Sequence, residues 1–352
     1  MCRYELDRVE ITPRRLLSRP WTMWRYRELL PVRHPHRAVS LGETVTPLVS
    51  LPGVERDLGL RRLLVKDDGL LPTGSFKARG AAVGMSRFLE LGGQELVLPT
   101  NGNAGAAWAA YGARAGVKVH VLIPRDAPLV TRQEAIAAGA DVRVIDGLIG
   151  DAGKESARLA AENGWFDAAT FKEPYRLEGK KTMGLEIAEQ LGWRLPEVVV
   201  YPTGGGVGLL GMWKAWQELL QLGLLKSERL PRLVAAQSAG CAPVVAAFQA
   251  GAATTEPWPD ARTVAFGINV PSPLAGGLML RDLRESGGCA VSIPEDAIQA
   301  ERTAAFRREG VHLCPEGACA LAAVRALAGS GWLGDAGDVL VLNTGSGLKY
   351  PL

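Results

Sequence analysis

Four turns rich in glycine, hydroxyl and amide groups hold the residues of this chain best suited to chemistry. The first is Leu71-Pro72-Thr73-Gly74-Ser75-Phe76-Lys77-Ala78-Arg79-Gly80. Pro and Gly make the bend, and Ser75 is placed to cap a helix starting just after it. Lys77 then falls in the first helical turn, where the positive end of the helix dipole favours a neutral, nucleophilic amine. A lone lysine elsewhere would read as a surface group. The second turn, Thr100-Asn101-Gly102-Asn103-Ala104-Gly105, opens a helix at Asn103. Hydroxyl, amide and exposed N–H groups there suit a carboxylate or phosphate, and an ordinary Asn cap reads equally well. The third, Pro202-Thr203-Gly204-Gly205-Gly206-Val207-Gly208, lets several backbone N–H groups face one anion. It lacks the Gly-Lys-Ser/Thr ending of a nucleotide P-loop. The fourth, Asn343-Thr344-Gly345-Ser346-Gly347-Leu348-Lys349, ends the last apolar run with a hydroxyl at Thr344.

One rival reading uses the same glycines. Gly206, Gly208 and Gly211 form a G-x-G-x-x-G between an apolar run and a helical stretch. A dinucleotide site also needs an acid at the end of the following strand, to hold a ribose. Here that strand ends Gln237-Ser238-Ala239-Gly240.

The elements that position these turns alternate. Strand-like runs fall at 62–66, 95–99, 117–123, 141–145, 197–201, 233–237 and 338–342. Helix-like stretches fall at 103–115, 151–162, 178–191 and 207–220. Continuous apolar strands separated by helices predict an α/β fold with parallel sheets, and ligands of such sheets bind beyond the strands' carboxyl ends. The 352 residues are 47% hydrophobic and 22% charged with a net charge of +3, a globular composition with no excess charge to favour nucleic acid or an anionic membrane. No apolar run is long enough to span a bilayer. Five scattered cysteines, Cys2, Cys241, Cys289, Cys314 and Cys319, give neither a disulfide framework nor zinc spacing, so no metal site is expected. The start has no secretion signal, and a cytoplasmic enzyme is expected. The first forty residues carry nine arginines against four acids. An RNA-binding arm is conceivable, but the expected role is an arm whose aromatics Trp21, Trp24 and Tyr26 pack on the body while its arginines stay in water.

As an ordered set, the turns resemble the pyridoxal-phosphate enzymes of the tryptophan-synthase-β type (fold-type II), and the threonine synthase family above all. Trp24-Arg25-Tyr26, Leu41-Gly42-Glu43 with Thr46-Pro47-Leu48, Arg176-Leu177-Glu178-Gly179-Lys180-Lys181-Thr182 and the Thr344–Lys349 ending are similar to that family. The resemblance runs from about residue 20 to the end. It implies two open, mostly parallel three-layer sheets. An arm over 1–45 would pack on a large cofactor domain of 46–79 and 179–352, with a small mobile domain over 80–178 and the cofactor between the two domains. It implies that Lys77, next to Phe76, carries pyridoxal 5'-phosphate through its amine and moves protons between substrate carbons. Gly204, Gly205, Gly206, Val207 and Gly208 would hold the cofactor phosphate, Asn103 the ring 3-oxygen, and Thr344 the pyridine nitrogen. Thr100, Asn101, Gly102 and Asn103 would bind the substrate, the first three at its carboxylate. Arg176, with Lys180 and Lys181, would neutralise a substrate phosphate. The implied reaction is phosphate elimination from O-phospho-L-homoserine with water addition to give L-threonine, by a homodimer acting on a small amino acid. Ala78 replaces the family's usual Asp, as in serine/threonine dehydratases. The alternative is therefore an ammonia-lyase that dehydrates a β-hydroxy amino acid of the threonine, serine or phenylserine type to a 2-keto acid and ammonia.

Overall fold

The apolar runs become ten strands among residues 1–350, which are the residues the computed structural model describes. They are β1 Leu48–Ser50, β2 Arg62–Asp67, β3 Glu95–Pro99, β4 Lys118–Pro124, β5 Asp141–Ile145, β6 Phe166–Asp167, β7 Val198–Pro202, β8 Arg232–Ser238, β9 Cys289–Ile293 and β10 Asp338–Asn343. The α-helices are α1 Pro13–Leu17, α2 Pro52–Leu58, α3 Lys77–Glu90, α4 Asn103–Ala115, α5 Leu129–Ala137, α6 Ile149–Asn163, α7 Tyr175–Gln190, α8 Val207–Gln221, α9 Pro243–Gln249, α10 Gly276–Glu285, α11 Glu295–Glu309 and α12 Pro315–Gly329. All seven expected strands are present. The three that periodicity missed are β1 and β6, only three and two residues long, and β9, whose Cys and Ser break its apolar run.

Two units divide the chain. One holds Met1–Val45 and Leu71–Met183, and the other holds Thr46–Leu70 and the chain from Gly184 onward. The sequence places these boundaries near 80 and 178 and assigns the arm to the large domain. In the structure the arm groups with the unit of Leu71–Met183, because its polar groups bond to α3, α4 and α7. The Val39 N–H donates to Ser86 Oγ (2.8 Å). The Arg33 and His34 N–H groups donate to Glu90, and Tyr4 Oη donates to Glu178 (3.0 Å). Glu43, fully buried, accepts from Trp24 Nε1 (2.9 Å) and from Tyr111 Oη. The arginines do not all stay in water. Arg25 is 2% exposed, donates to the Leu16 carbonyl (2.7 Å) and lies 4.1 Å from the ring centre of Trp21, which is itself exposed.

The unit of Leu71–Met183 carries a four-stranded parallel sheet ordered β5-β4-β3-β6. The other unit carries a six-stranded sheet ordered β1-β2-β10-β7-β8-β9, parallel except for the antiparallel edge strand β1. Its central strands are buried along their lengths, with Val198–Val200 and Val339–Leu342 fully inaccessible, which is why they read as unbroken apolar runs. Alanine-rich α12 packs on this sheet through Ala318, Cys319, Leu321 and Val324, and its small side chains keep the approach close. In this sheet β7 leads through α8 to β8 on one side, while β10 lies on its other side. Turns beyond β7 and β10 therefore flank a topological switch point.

Candidate active site

In the unit of Leu71–Met183, Lys77 is the first residue of α3. The turn before it holds Thr73 at φ +63°, a left-handed conformation uncommon for a residue with a Cβ. Ser75 does not cap the helix as its type suggested. Its carbonyl accepts from the Ala78 N–H (3.2 Å), while its hydroxyl is buried with no hydrogen-bond partner among the described residues. Phe76 is the N-cap residue, without a side-chain cap, and the Lys77 ammonium lies 4.0 Å from its ring centre.

Helix α7 crosses α3 at two glycines. A Cβ on Gly80 would come within 2.9 Å of the Arg176 carbonyl oxygen, and one on Gly179 would overlap the Arg79 carbonyl. This close approach lets Lys180 Nζ donate to the carbonyls of Phe76 (2.6 Å) and Lys77 (3.1 Å), pinning the lysine turn. Sequence reasoning kept Lys180 only as a partner for a substrate phosphate. Its role in holding Lys77 depends on a helix crossing that spacing does not reveal.

Arg176 is 5% exposed and already engaged. Its Nε donates to Glu173 Oε1 (2.7 Å), one terminal nitrogen to Thr170 Oγ1 (2.8 Å), and the other to the Ala168 carbonyl. Three of the five guanidinium donors are used in this way, and one on each terminal nitrogen is left. Lys181 faces elsewhere: it is fully buried, 3.0 Å from Glu178 and 4.0 Å from the Tyr4 ring centre, so its charge anchors the arm.

Asn103 is the first residue of α4, as expected, with Gly102 at the N-cap. Thr100 Oγ1 accepts from the N–H groups of Gly102 (2.9 Å) and Gly105 (3.0 Å). Gly102 sits at φ +130°, and a Cβ there would press on Thr131. Asn101 lies in the turn between them.

In the other unit, the Gly204–Gly208 turn joins β7 to α8. Gly206 is the helix N-cap at φ +81°, ψ 0°. A Cβ on Gly204 would come within 2.9 Å of Ile268 Cα, one on Gly206 would overlap the Met279 thioether, and one on Gly208 would overlap Tyr201 Oη. The turn is thus a backbone cradle, and the first N–H groups of α8 open into it without intrahelical partners. Burial raises the Tyr201 hydroxyl's pKa well above its ordinary value, so it stays a neutral floor under Gly208. Gln237, at the position a dinucleotide site reserves for an acid, is committed to structure. Its amide donates to the Thr203 carbonyl (3.0 Å), and its oxygen accepts from the Val244 and Val245 N–H groups. The dinucleotide reading therefore lacks its ribose ligand.

Thr344 follows β10, the strand next to β7, and is 6% exposed. Before it, Asn343 Nδ2 donates to Asp67 Oδ1 (2.8 Å), and Asn343 Oδ1 accepts from the Cys314 N–H (3.1 Å). Desolvation outweighs the bonds that Asp67 accepts from Asn343 and from the Gly69 N–H, and raises the Asp67 pKa.

These features fit an aldehyde cofactor with an anionic tail. A side-chain-free cradle at a helix N-terminus would take a phosphate, and a lysine sits at the start of a second helix. The buried Ser75 hydroxyl lacks an acceptor, and a neutral hydroxyl rather than a carboxylate stands beside the cradle strand. Residues 39–345 match the family described as pyridoxal-phosphate dependent enzymes. The chain is 35% identical to the threonine synthase of Methanosarcina acetivorans over 350 residues, covering 99% of this chain and 85% of that protein. It is 33% identical to the threonine synthase of Methanocaldococcus jannaschii over 349 residues, with coverages of 99% and 85%. Among solved structures, a threonine deaminase from T.th. superposes with a TM-score of 0.71 at 26% identity, covering 86% of this chain and 92% of that one. Fold and relatives together define a fold-type II pyridoxal-phosphate-dependent lyase. Within that class, the chain belongs to the threonine synthase family.

Proposed function

We propose that this enzyme converts O-phospho-L-homoserine and water to L-threonine and inorganic phosphate. The observation that carries this reading is the α3–α7 crossing, which sets Arg176 and Lys180, two cations, on the helix packed against the Lys77 turn. A phosphate leaving group needs cationic donors, and Arg176 keeps two N–H groups for it. The family likeness over nearly the whole chain supports the same assignment.

The remaining roles follow from the groups each turn offers. Bound pyridoxal phosphate would withdraw electrons from the substrate carbons. Lys77 Nζ would hold the cofactor, then accept and return protons at those carbons. The N–H groups from Gly204 to Gly208 would bind the cofactor phosphate, and Asn103 would bond to the ring 3-oxygen. Thr344 would meet the pyridine nitrogen with a neutral hydroxyl. The turn Thr100-Asn101-Gly102, already organised around Thr100 Oγ1, would bind the substrate carboxylate. A homodimer and a cytoplasmic location belong to the same reading. Five free thiols suit a reducing compartment, and sedimentation would give the assembly state.

Two observations favour a second reading. Glu173 pairs with Arg176 and offsets the charge a phosphate would need, and Ala78 stands where the family usually has Asp. An ammonia-lyase acting on a β-hydroxy amino acid needs no phosphate site. Incubation with phosphohomoserine and, separately, with threonine, serine and phenylserine separates the two. Phosphate release with threonine formation supports the first reading, and keto-acid release without phosphate supports the second. Arg176→Ala is expected to lower kcat/KM for phosphohomoserine by about 100-fold or more, the value of a bidentate charge-assisted contact, while leaving any hydroxy amino acid reaction within a few-fold. Equal losses on both substrates would refute the assignment of Arg176.

A further inference from the structure

Two neighbouring apolar strands each end in a polar residue, and the two residues meet. In the parallel pairing of β2 with β10, Asp67 is the register partner of Asn343. The Asn343 amide has one orientation open to it, because the Cys314 backbone N–H can only donate and its acceptor is Asn343 Oδ1 (3.1 Å). Asn343 Nδ2 therefore donates to Asp67 Oδ1 (2.8 Å). The amide has little room to move. Asn343 is 1% exposed, and a Cβ on Gly317, in the first turn of α12, would overlap its side-chain oxygen. This side chain thus bridges the end of β2 and the start of α12, and Thr344 is the next residue in the chain.

Asp67 also orders the turn on its own side. The same oxygen, Oδ1, accepts the Gly69 N–H (3.0 Å), a bond of the kind by which Asp side chains close turns two residues on. That bend sets Gly69 against the turn after β10. A Cβ on Gly69 would come within 2.9 Å of the Gly345 carbonyl group and of Ser346 Cα. One carboxylate oxygen therefore holds both neighbours of Thr344: Asn343 directly, and Gly345 through the packing of Gly69. Taking a carboxylate out of water is costly, and no cation among the described residues pairs with Asp67; the charge that bears on it, Asp68, is another carboxylate. An apolar residue would end β2 without that cost. What the carboxylate supplies instead is the order of the two turns.

We propose that Asp67 is a positioning residue: through Asn343 and Gly69 it fixes the backbone on both sides of Thr344, and so aims the Thr344 hydroxyl at the cofactor's ring nitrogen. The inference rests on the assignment of Thr344 to that nitrogen. It adds a residue of the neighbouring strand, far away in sequence, that acts through the turn and not by contact with the cofactor. A hydrogen bond weakens steeply as its angle bends, so a turn released at both ends loses the contact even with Thr344 in place.

The test uses protein loaded with pyridoxal phosphate labelled with nitrogen-15 in the ring, whose resonance reports hydrogen bonding at that atom. Thr344→Val is expected to shift the resonance and to raise the cofactor Kd by about 2–13-fold, the range of a single neutral hydrogen bond. Asp67→Ala is expected to shift it in the same sense, with no larger rise in Kd, because Asp67 acts only through Thr344. For the same reason the double variant is expected to match Thr344→Val. Asp67→Asn keeps an oxygen for both N–H groups and is expected to retain the wild-type resonance and Kd. Asp67→Ser serves if the alanine variant fails to fold: its hydroxyl still accepts the Gly69 N–H but falls short of Asn343, and it too is expected to shift the resonance. If Thr344→Val shifts the resonance and neither Asp67→Ala nor Asp67→Ser does, Asp67 only closes the strand end and the inference fails alone. A shift in Asp67→Asn as large as that in Asp67→Ala would show the charge itself acting on the ring and would also overturn it. If Thr344→Val leaves the resonance in place, the assignment of Thr344 is wrong and the inference falls with it.

Discussion

Replacing Gly206 with alanine tests the phosphate cradle, because the expected cost divides into parts that a second glycine isolates. Gly206 is the N-cap of α8 at φ +81°, and Gly223 lies just beyond the other end of that helix at φ +66°. An alanine held in either left-handed conformation loses about 1–2 kcal/mol. At Gly223 nothing lies within 4 Å of the added Cβ, so that is the whole cost. At Gly206 the Cβ would meet the Sδ, Cγ and Cε of Met279, which is fully buried. Displacing it adds an overpacking cost of about 1–3 kcal/mol. Gly206→Ala is therefore expected to destabilise by about 2–5 kcal/mol and Gly223→Ala by about 1–2 kcal/mol in urea unfolding of the cofactor-free protein. The functional part is separate. If the Gly204–Gly208 N–H groups bind the phosphate, a shifted turn loses at least one charge-assisted bond, and the cofactor Kd rises about 10–100-fold. Gly223→Ala leaves that Kd unchanged. Measured by titrating pyridoxal phosphate into each folded protein, equal Kd values for Gly206→Ala and wild type would refute the cradle.

Two further outcomes follow from buried charges. Lys66 and Glu186 form a fully buried ion pair at 2.7 Å, and Lys66 Nζ also donates to the Thr46 carbonyl and to Gln190 (both 2.8 Å). Lys66→Met strands the Glu186 carboxylate and is expected to cost about 3–5 kcal/mol in urea unfolding, much of it restored in Lys66→Met/Glu186→Leu. The His312 pKa is lowered by desolvation and then by Arg302, and its buried Nε2 has no hydrogen-bond partner among the described residues. Below the unfolded value of about 6.5, the unfolded chain binds this proton more readily than the folded one. Stability contributed by neutral His312 is thus present above that pH and lost on acidification from it toward the lowered folded value. His312→Gln is expected to flatten that part of the stability–pH curve, and an unchanged slope would count against the assignment.

Much of the architecture was legible in the sequence because strands buried on both faces leave no polar residues to blur them. Val198–Val200 and Val339–Leu342 read as strands for the reason they are core. The turns were legible because glycine clusters at strand ends have few structural uses. What the sequence hid depended on contacts between distant segments. Arg25 looked like one of nine surface arginines, yet it is buried by the carbonyls that the arm's own bends turn toward it. Ser75 looked like a helix cap, but the cap passed to Phe76 and left the hydroxyl for another partner. Lys180 and Lys181 are adjacent and alike in type. Their opposite fates, one on the Lys77 turn and one on Glu178, follow from helical rotation at the Gly80–Gly179 crossing. No spacing rule in a single chain separates them.

The central claim concerns the amine of Lys77. Protein saturated with pyridoxal phosphate should be reduced with borohydride, digested and sequenced by mass spectrometry. The account requires the pyridoxyl phosphate mass on the peptide containing Lys77, and its absence from Lys77→Ala. Label on Lys180, Lys66 or another lysine, with Lys77 unmodified, would contradict it.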